Sequence, residues 1–258
     1  MNSLSQKEIS GQLFYLSKES VKTLVLNSKC GLIIPPVRTS KKSSINDIST
    51  LNNFSPLLCL YRKASPTFIH NKTSHGFDES TFKKEISPTT NALMTLCLLE
   101  LSKYYSHFTE GNRNINSLEN AYKYLAKEQL QFYSEHLRNA EGLFVPKKNI
   151  SDGNSKGYEL VDKDNKFKFS DQAFMMDAYL LYSIYNPSDD ACEDYKIFSY
   201  EILQVFKEYK DSLYDLSFTE SIEIFLALNV FYKYSNSLIA RELILDLGDY
   251  LVNKFQEK

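Results

Sequence analysis

The feature that most constrains this chain is an alternation of helix types that runs from Ser87 to the C-terminus. Segments with helical spacing that are apolar on nearly every side take turns with segments that are apolar on one side only. The first begins at Ser87-Pro88 and carries Ala92, Leu93, Met94, Leu96, Cys97, Leu98, Leu99 and Leu101. Proline is favoured in a first helical turn, where its missing N–H costs no hydrogen bond. A helix apolar all round must be covered all round. The next, over 117–138, sets Leu118, Ala121, Tyr122, Leu125, Phe132 and Tyr133 against Glu119, Lys123, Lys127, Glu128 and Glu135, which leaves a solvent face.

The pair then recurs. Residues 171–185 are largely apolar, with Asp177 their only charged residue after the first turn, whereas 189–210 are two-faced. Residues 218–234 are again apolar in character, and 237–255 amphipathic. Three helices of each kind in strict alternation predict an all-α chain of paired helical hairpins in two layers, inner and outer. The expected division is an irregular segment over 1–86, with one helix at about 6–26, and a helical-hairpin domain over 87–258. In the first segment Pro35-Pro36 stops any element, and 38–53 reads as a polar loop. Leu57 to Tyr61 is equally a short strand or a buried helical turn.

Aligning Asn91-Ala92-Leu93-Met94 with Gln172-Ala173-Phe174-Met175 and with Glu220-Ser221-Ile222-Glu223 keeps the apolar positions in step, at intervals of 81 and 48 residues. The longer interval holds a polar insertion between Gly142 and Phe169. Residues 38–53 and 146–168 are expected to be the most mobile, because neither carries enough apolar surface to offset its ordering entropy. Periods near 50 residues mark stacked or circular hairpin arrays.

Alternating inner and outer helices, that period, and Gly142-Leu143-Phe144-Val145 after an outer helix resemble the six-hairpin (α/α)-toroid superfamily. This superfamily includes glycoside hydrolases and sugar epimerases. The resemblance covers about residues 87–258, with three clear hairpins where a closed toroid has six, so it implies an open or degenerate toroid. It also implies a ligand mouth where the inner helices begin, suited to a sugar-like small molecule.

Four carboxylates are candidates for such a site: Asp171, Asp177, Glu220 and Glu223. Two carboxyls about 5 to 9.5 Å apart can cleave a glycosidic bond as acid and base or nucleophile. Asp171 and Glu220 have structural explanations that weigh more. Ser217-Phe218-Thr219-Glu220 is a capping box, and Asp171 lies in a first turn, where a negative charge favours the helix dipole. Asp177 and Glu223 lie on otherwise apolar helices, so each should be paired, raised in pKa or facing a cavity. The structural explanation for these two is a hydrogen bond to one of the 18 tyrosines.

Other chemistry finds little support. Thirty basic and 32 acidic residues are well mixed, which argues against a nucleic-acid partner. No apolar run is long enough for a membrane span, and the start lacks a signal-peptide pattern, so a cytoplasmic location is expected. His70 and His75 flank a polar loop without a third ligand, His107 and His136 lie near helix ends, and the four cysteines form no C-x-x-C pair. No metal or cofactor is therefore expected. Aromatic residues suit sugar stacking, yet Trp, the largest stacking face, is absent. Two functions remain: binding or processing of a sugar-like molecule, and a non-catalytic helical scaffold for another protein.

Overall fold

The computed structural model describes residues 4–34, 48–63, 67–70, 75–78, 81–107, 113–151, 157–164 and 166–256. These separate into two compact units. One comprises Met1–Ile86 with Cys97–Gln129, the other Ser87–Leu96 with Leu130–Lys258.

In the first unit, helix α1 (Gln6–Val21) starts with a full capping box. Glu8 Oε2 accepts from the Ser5 N–H at 2.8 Å, and the Glu8 N–H donates to Ser5 Oγ. The helix runs into a wider π-type turn, Lys22–Leu26, whose Val25 and Leu26 are buried. Strands β1 (Gly31–Ile33), β2 (Leu57–Lys63) and β5 (Phe82–Ile86) pair antiparallel in that order. Strands β3 (Phe68–His70) and β4 (His75–Phe77) form a ribbon of their own. Gly31 stands opposite Leu60 and Leu32 opposite Cys59. A Cβ on Gly31 would lie 1.8 Å from the Cys59 carbonyl oxygen, so only glycine permits this approach. Leu57, Cys59 and Ile86 are buried beneath the sheet, and burial pushes the Cys59 thiol up to about 12. Gln129, on helix α3 (Arg113–His136), is fully buried and donates to the Leu57 carbonyl at 2.8 Å, which ties helix to strand.

These strands correct the all-α expectation: the chain is a helix-rich α/β protein. Leu57–Tyr61, left open between strand and helical turn, belongs to β2; the other strands are too short for spacing to reveal them. Residues 38–47 lie outside the described chain, and 48–53 form a 3₁₀ turn.

The six helices expected after Ser87 are present: α2 (Pro88–Ser106), α3, α4 (Phe169–Tyr185), α5 (Cys192–Glu208), α6 (Phe218–Ser235) and α7 (Leu238–Gln256). Helix α2 is divided between the units, its first residues belonging to the second; α3 is divided likewise, its end from Leu130 belonging to the second. Helices α4 and α5 form one hairpin and α6 and α7 the next, with α6 packed on α4. Helix α4 is covered on all sides as expected, buried from Phe169 to Ser183 except at Phe174. The other two apolar helices are not. Helix α2 exposes Leu93, Cys97 and Tyr104, and α6 exposes Leu226 at 57%. An even apolar composition did not report which side lacks a neighbour.

The insertion after Gly142 is also more structured than its polarity suggests. Strands β6 (Lys147–Asn149) and β7 (Leu160–Asp162) pair antiparallel within it. Lys147 is 5% exposed, donates to the Arg138 carbonyl at 2.8 Å and forms an ion pair with Asp162. Gly142 has φ +86°, a left-handed conformation that closes the turn between α3 and Phe144.

Candidate functional site

The starts of α2, α4 and α6 share a pattern that was only partly legible in the sequence. At the fourth residue of each helix stands a fully buried polar side chain: Asn91, Gln172 and Ser221. Each donates to the carbonyl of the residue just before the helix. Asn91 reaches Ser87 at 2.9 Å, Gln172 reaches Lys168 at 3.3 Å and Ser221 reaches Ser217 at 3.1 Å. Buried polar groups must find partners, and here they find them within their own first turn.

The second and third residues link one helix to the next. Asp171, third in α4, accepts from both Thr89 groups, second in α2: the N–H at 2.8 Å and the hydroxyl at 2.5 Å. Glu220, third in α6, does the same to Ser170, second in α4, with longer contacts of 3.4 Å from the N–H and 3.5 Å from the hydroxyl. Each carboxylate thus caps first-turn donors of the helix two before its own, where the dipole is positive. The capping box expected at Ser217 is half formed. Ser217 Oγ accepts from the Glu220 N–H at 3.2 Å, but the Glu220 carboxylate turns to Ser170 instead of returning to Ser217. The structure also moves the third helix by one position in the alignment. Ser221, not Glu220, stands with Asn91 and Gln172, which makes the second interval 49 residues (221 minus 172).

Asp171 is 2% exposed. Burial raises its pKa, and the hydrogen bonds from Thr89 and the charge of Lys168 pull it partly back. Gln172 does double duty. Its amide oxygen accepts from the Phe144 N–H at 3.0 Å, and its NH₂ donates to the Phe144 carbonyl at 2.7 Å, as a neighbouring strand would. Nothing in its sequence context marked it, because a polar residue in a first turn is ordinary.

Asp177 and Glu223 are not equivalent. Asp177 is eight residues past the first residue of α4, and Glu223 five past that of α6; the counterpart of Asp177 in α6 is Leu226. Glu223 is half-buried, so the buried setting inferred for it is not found. Asp177 is 2% exposed, and its Oδ1 has no hydrogen-bond partner. Burial alone holds its pKa well above the carboxylate range. The tyrosine partner expected for it is absent at that oxygen. Buried Tyr179 and Tyr133 donate to backbone carbonyls instead, those of Leu130 at 2.6 Å and Asn91 at 3.2 Å. Burial thus favours the protonated form of the Asp177 carboxyl.

Of the four candidate carboxylates, Asp171 and Glu220 lie near enough for the charge of Glu220 to raise the Asp171 pKa, while Asp177 and Glu223 have different settings. Asp171 and Glu220 are helix caps, Asp177 is a buried acid within α4, and Glu223 lies on α6. Among the described residues no cluster of His, Cys, Asp and Glu has the makings of a metal site, and no helix is long and apolar enough to cross a membrane. Of the four histidines, His70 is exposed on β3 and His136 stacks obliquely on Phe132 at 4.8 Å.

A surface depression of about 340 Å³ lies along α5. Its lining is Glu193, Lys196, Ile197, Tyr200, Glu201 and Gln204. Spacing of three and four residues puts these side chains on one helical face. Ile197 is 52% exposed at its centre, Tyr200 packs edge-on against Phe231, and Lys196 pairs with Glu193 at 3.7 Å. Sequence reading had placed this face in solvent and missed its apolar centre. No family model, curated protein or solved structure matches the chain.

Proposed function

We propose that this protein is a non-catalytic helical scaffold that binds another protein through the outer face of α5. The observation that carries the reading is the depression there, lined by an exposed Ile197, the ring of Tyr200 and the charged Glu193, Lys196 and Glu201. An apolar or aromatic anchor inside a polar rim is the usual anatomy of a protein interface. The hydrogen bonds that Asp171 and Glu220 make to the starts of other helices give both carboxylates a structural task, which supports the same reading.

The test is site-specific photocrosslinking. A photoreactive residue at position 197 should give discrete adducts with a second protein, and the adducts should disappear on Tyr200→Glu with the melting temperature unchanged. The same probe at exposed Lys148 should give none. Absence of adducts at 197 would count against the scaffold. So would a sugar that raises the melting temperature of the wild type but not of Asp171→Asn or Glu220→Gln.

A further inference from the structure

We infer that a second copy of this chain covers the open side of its last hairpin, α6–α7. Helix α6 packs on α4, and on α4 the residues four, eight and twelve past its start (Ala173, Asp177 and Leu181) are at most 2% exposed. The counterparts on α6 are Ile222, Leu226 and Val230. They keep the apolar character of a covered position, yet Leu226 is 57% exposed and the other two are only half-buried. Helix α7 repeats the situation: Leu238, Leu245 and Val252, seven residues apart, are 70%, 59% and 57% exposed. Single exposed apolar residues are ordinary, but two aligned columns on one hairpin mark an interaction face.

The packing already present identifies the occupant. In this chain α4 is covered by α6, the first helix of the next helical hairpin. A second copy offers a hairpin of that kind and offers the same columns in return. Leu226 is ten residues before the turn at Asn236 and Leu245 nine after it, so the two stand at one level of the hairpin. A two-fold axis at that level runs each helix antiparallel to its counterpart. It sets Ile222 level with Val230 of the second copy, Leu238 level with Val252, and Arg241 level with Asp249, and it sets no like charges level with each other. Such an isologous contact is self-complementary and closes on itself. Helices of 18 and 19 residues are roughly 27 Å long and present a face about 20 Å wide, on the order of 500 Å² in projection. With side-chain relief this approaches the roughly 800 Å² per partner of an ordinary stable interface.

Sedimentation velocity over about a hundredfold dilution tests the inference, since a self-association must weaken on dilution by mass action. The wild type should sediment at twice the 29.8 kDa chain mass at the upper end of the range. Leu226→Glu and Leu245→Glu should each weaken dimerisation at least about tenfold, as loss of a central apolar contact does, with helical circular dichroism unchanged. Under mild oxidation Leu226→Cys should form a covalent dimer more readily than the wild type. A wild type that stays monomeric throughout, or charged variants that dimerise as tightly as it does, would overturn the inference.

Discussion

Asp177 shows what one residue can do to the whole pH profile. Its carboxyl titrates well above 3.8 in the folded chain because burial penalises the charged form. In the unfolded chain it titrates near its ordinary value. As pH rises past about 4, the unfolded state releases this proton and the folded state does not, so stability falls until the folded-state pKa is reached. Below that window the residue contributes no pH dependence. Asp177→Leu removes both the proton linkage and the unpartnered oxygen. It should stabilise the fold at pH 7 by roughly 1–3 kcal/mol, the cost of an unsatisfied buried polar group, and less at pH 4. Urea denaturation of both proteins at the two pH values measures this. Equal stability differences at both would show that the carboxyl does not titrate as described. The sequence did single out Asp177, because one charge on an apolar helix is conspicuous. It left open whether that carboxyl would be paired, raised in pKa or facing a cavity, since this depends on which remote side chains offer a partner.

At the scale of elements, the helices after Ser87 were legible because each is long enough for its period to show, whereas of the strands only Leu57–Tyr61 was offered, as one of two readings. Phe82-Lys83-Lys84-Glu85-Ile86 reads as a polar connection until β2 supplies its partner. The glycines make the sheet and turn testable. Gly31→Ala would drive a methyl into the Cys59 carbonyl and should cost about 3 kcal/mol, the upper end for overpacking, chiefly by parting β1 from β2. Gly142→Ala meets a milder obstacle, the flexible end of Arg138 at 2.7 Å, together with the left-handed φ. Its cost should be about 1 kcal/mol. Thermal unfolding of the two variants gives the order; a Gly142 variant less stable than the Gly31 variant would contradict the strand register. Helix α1 was also legible as a helix, but its setting was not. Ile9, Leu13 and Leu16 are exposed along it, at 44%, 60% and 64%, and only Val21 is buried. Amides of α1 should therefore exchange with solvent far faster than those of α4, where opening requires breaking the core. Comparable protection in hydrogen exchange would mean that α1 is covered in solution.

For the whole molecule the question is what the acidic residues at the helix starts are for. The sequence places Asp171 in the first turn of α4 and Ser217 at the cap of α6, as the structure has them, but not the reach of either carboxylate to another helix. Capping patterns in sequence are local, whereas here Asp171 reaches 82 residues back and Glu220 reaches 50. The buried Asn91, Gln172 and Ser221 that complete the pattern escaped notice because three different residue types perform one task. The two caps should differ in strength. Glu220→Gln should cost under about 0.5 kcal/mol, given its long contacts and half-buried setting. Asp171→Ala should cost about 1–2 kcal/mol, the range for loss of a helix cap. The most direct measurement is a double-mutant cycle between Thr89→Val and Asp171→Ala, read as unfolding free energies in urea at pH 7. If Asp171 holds the start of α2, the two changes should be coupled by about 1 kcal/mol, the scale expected for partners in one hydrogen-bonded network. Strictly additive effects, or an Asp171→Ala variant as stable as the wild type, would contradict the account and return Asp171 to the candidates for chemistry.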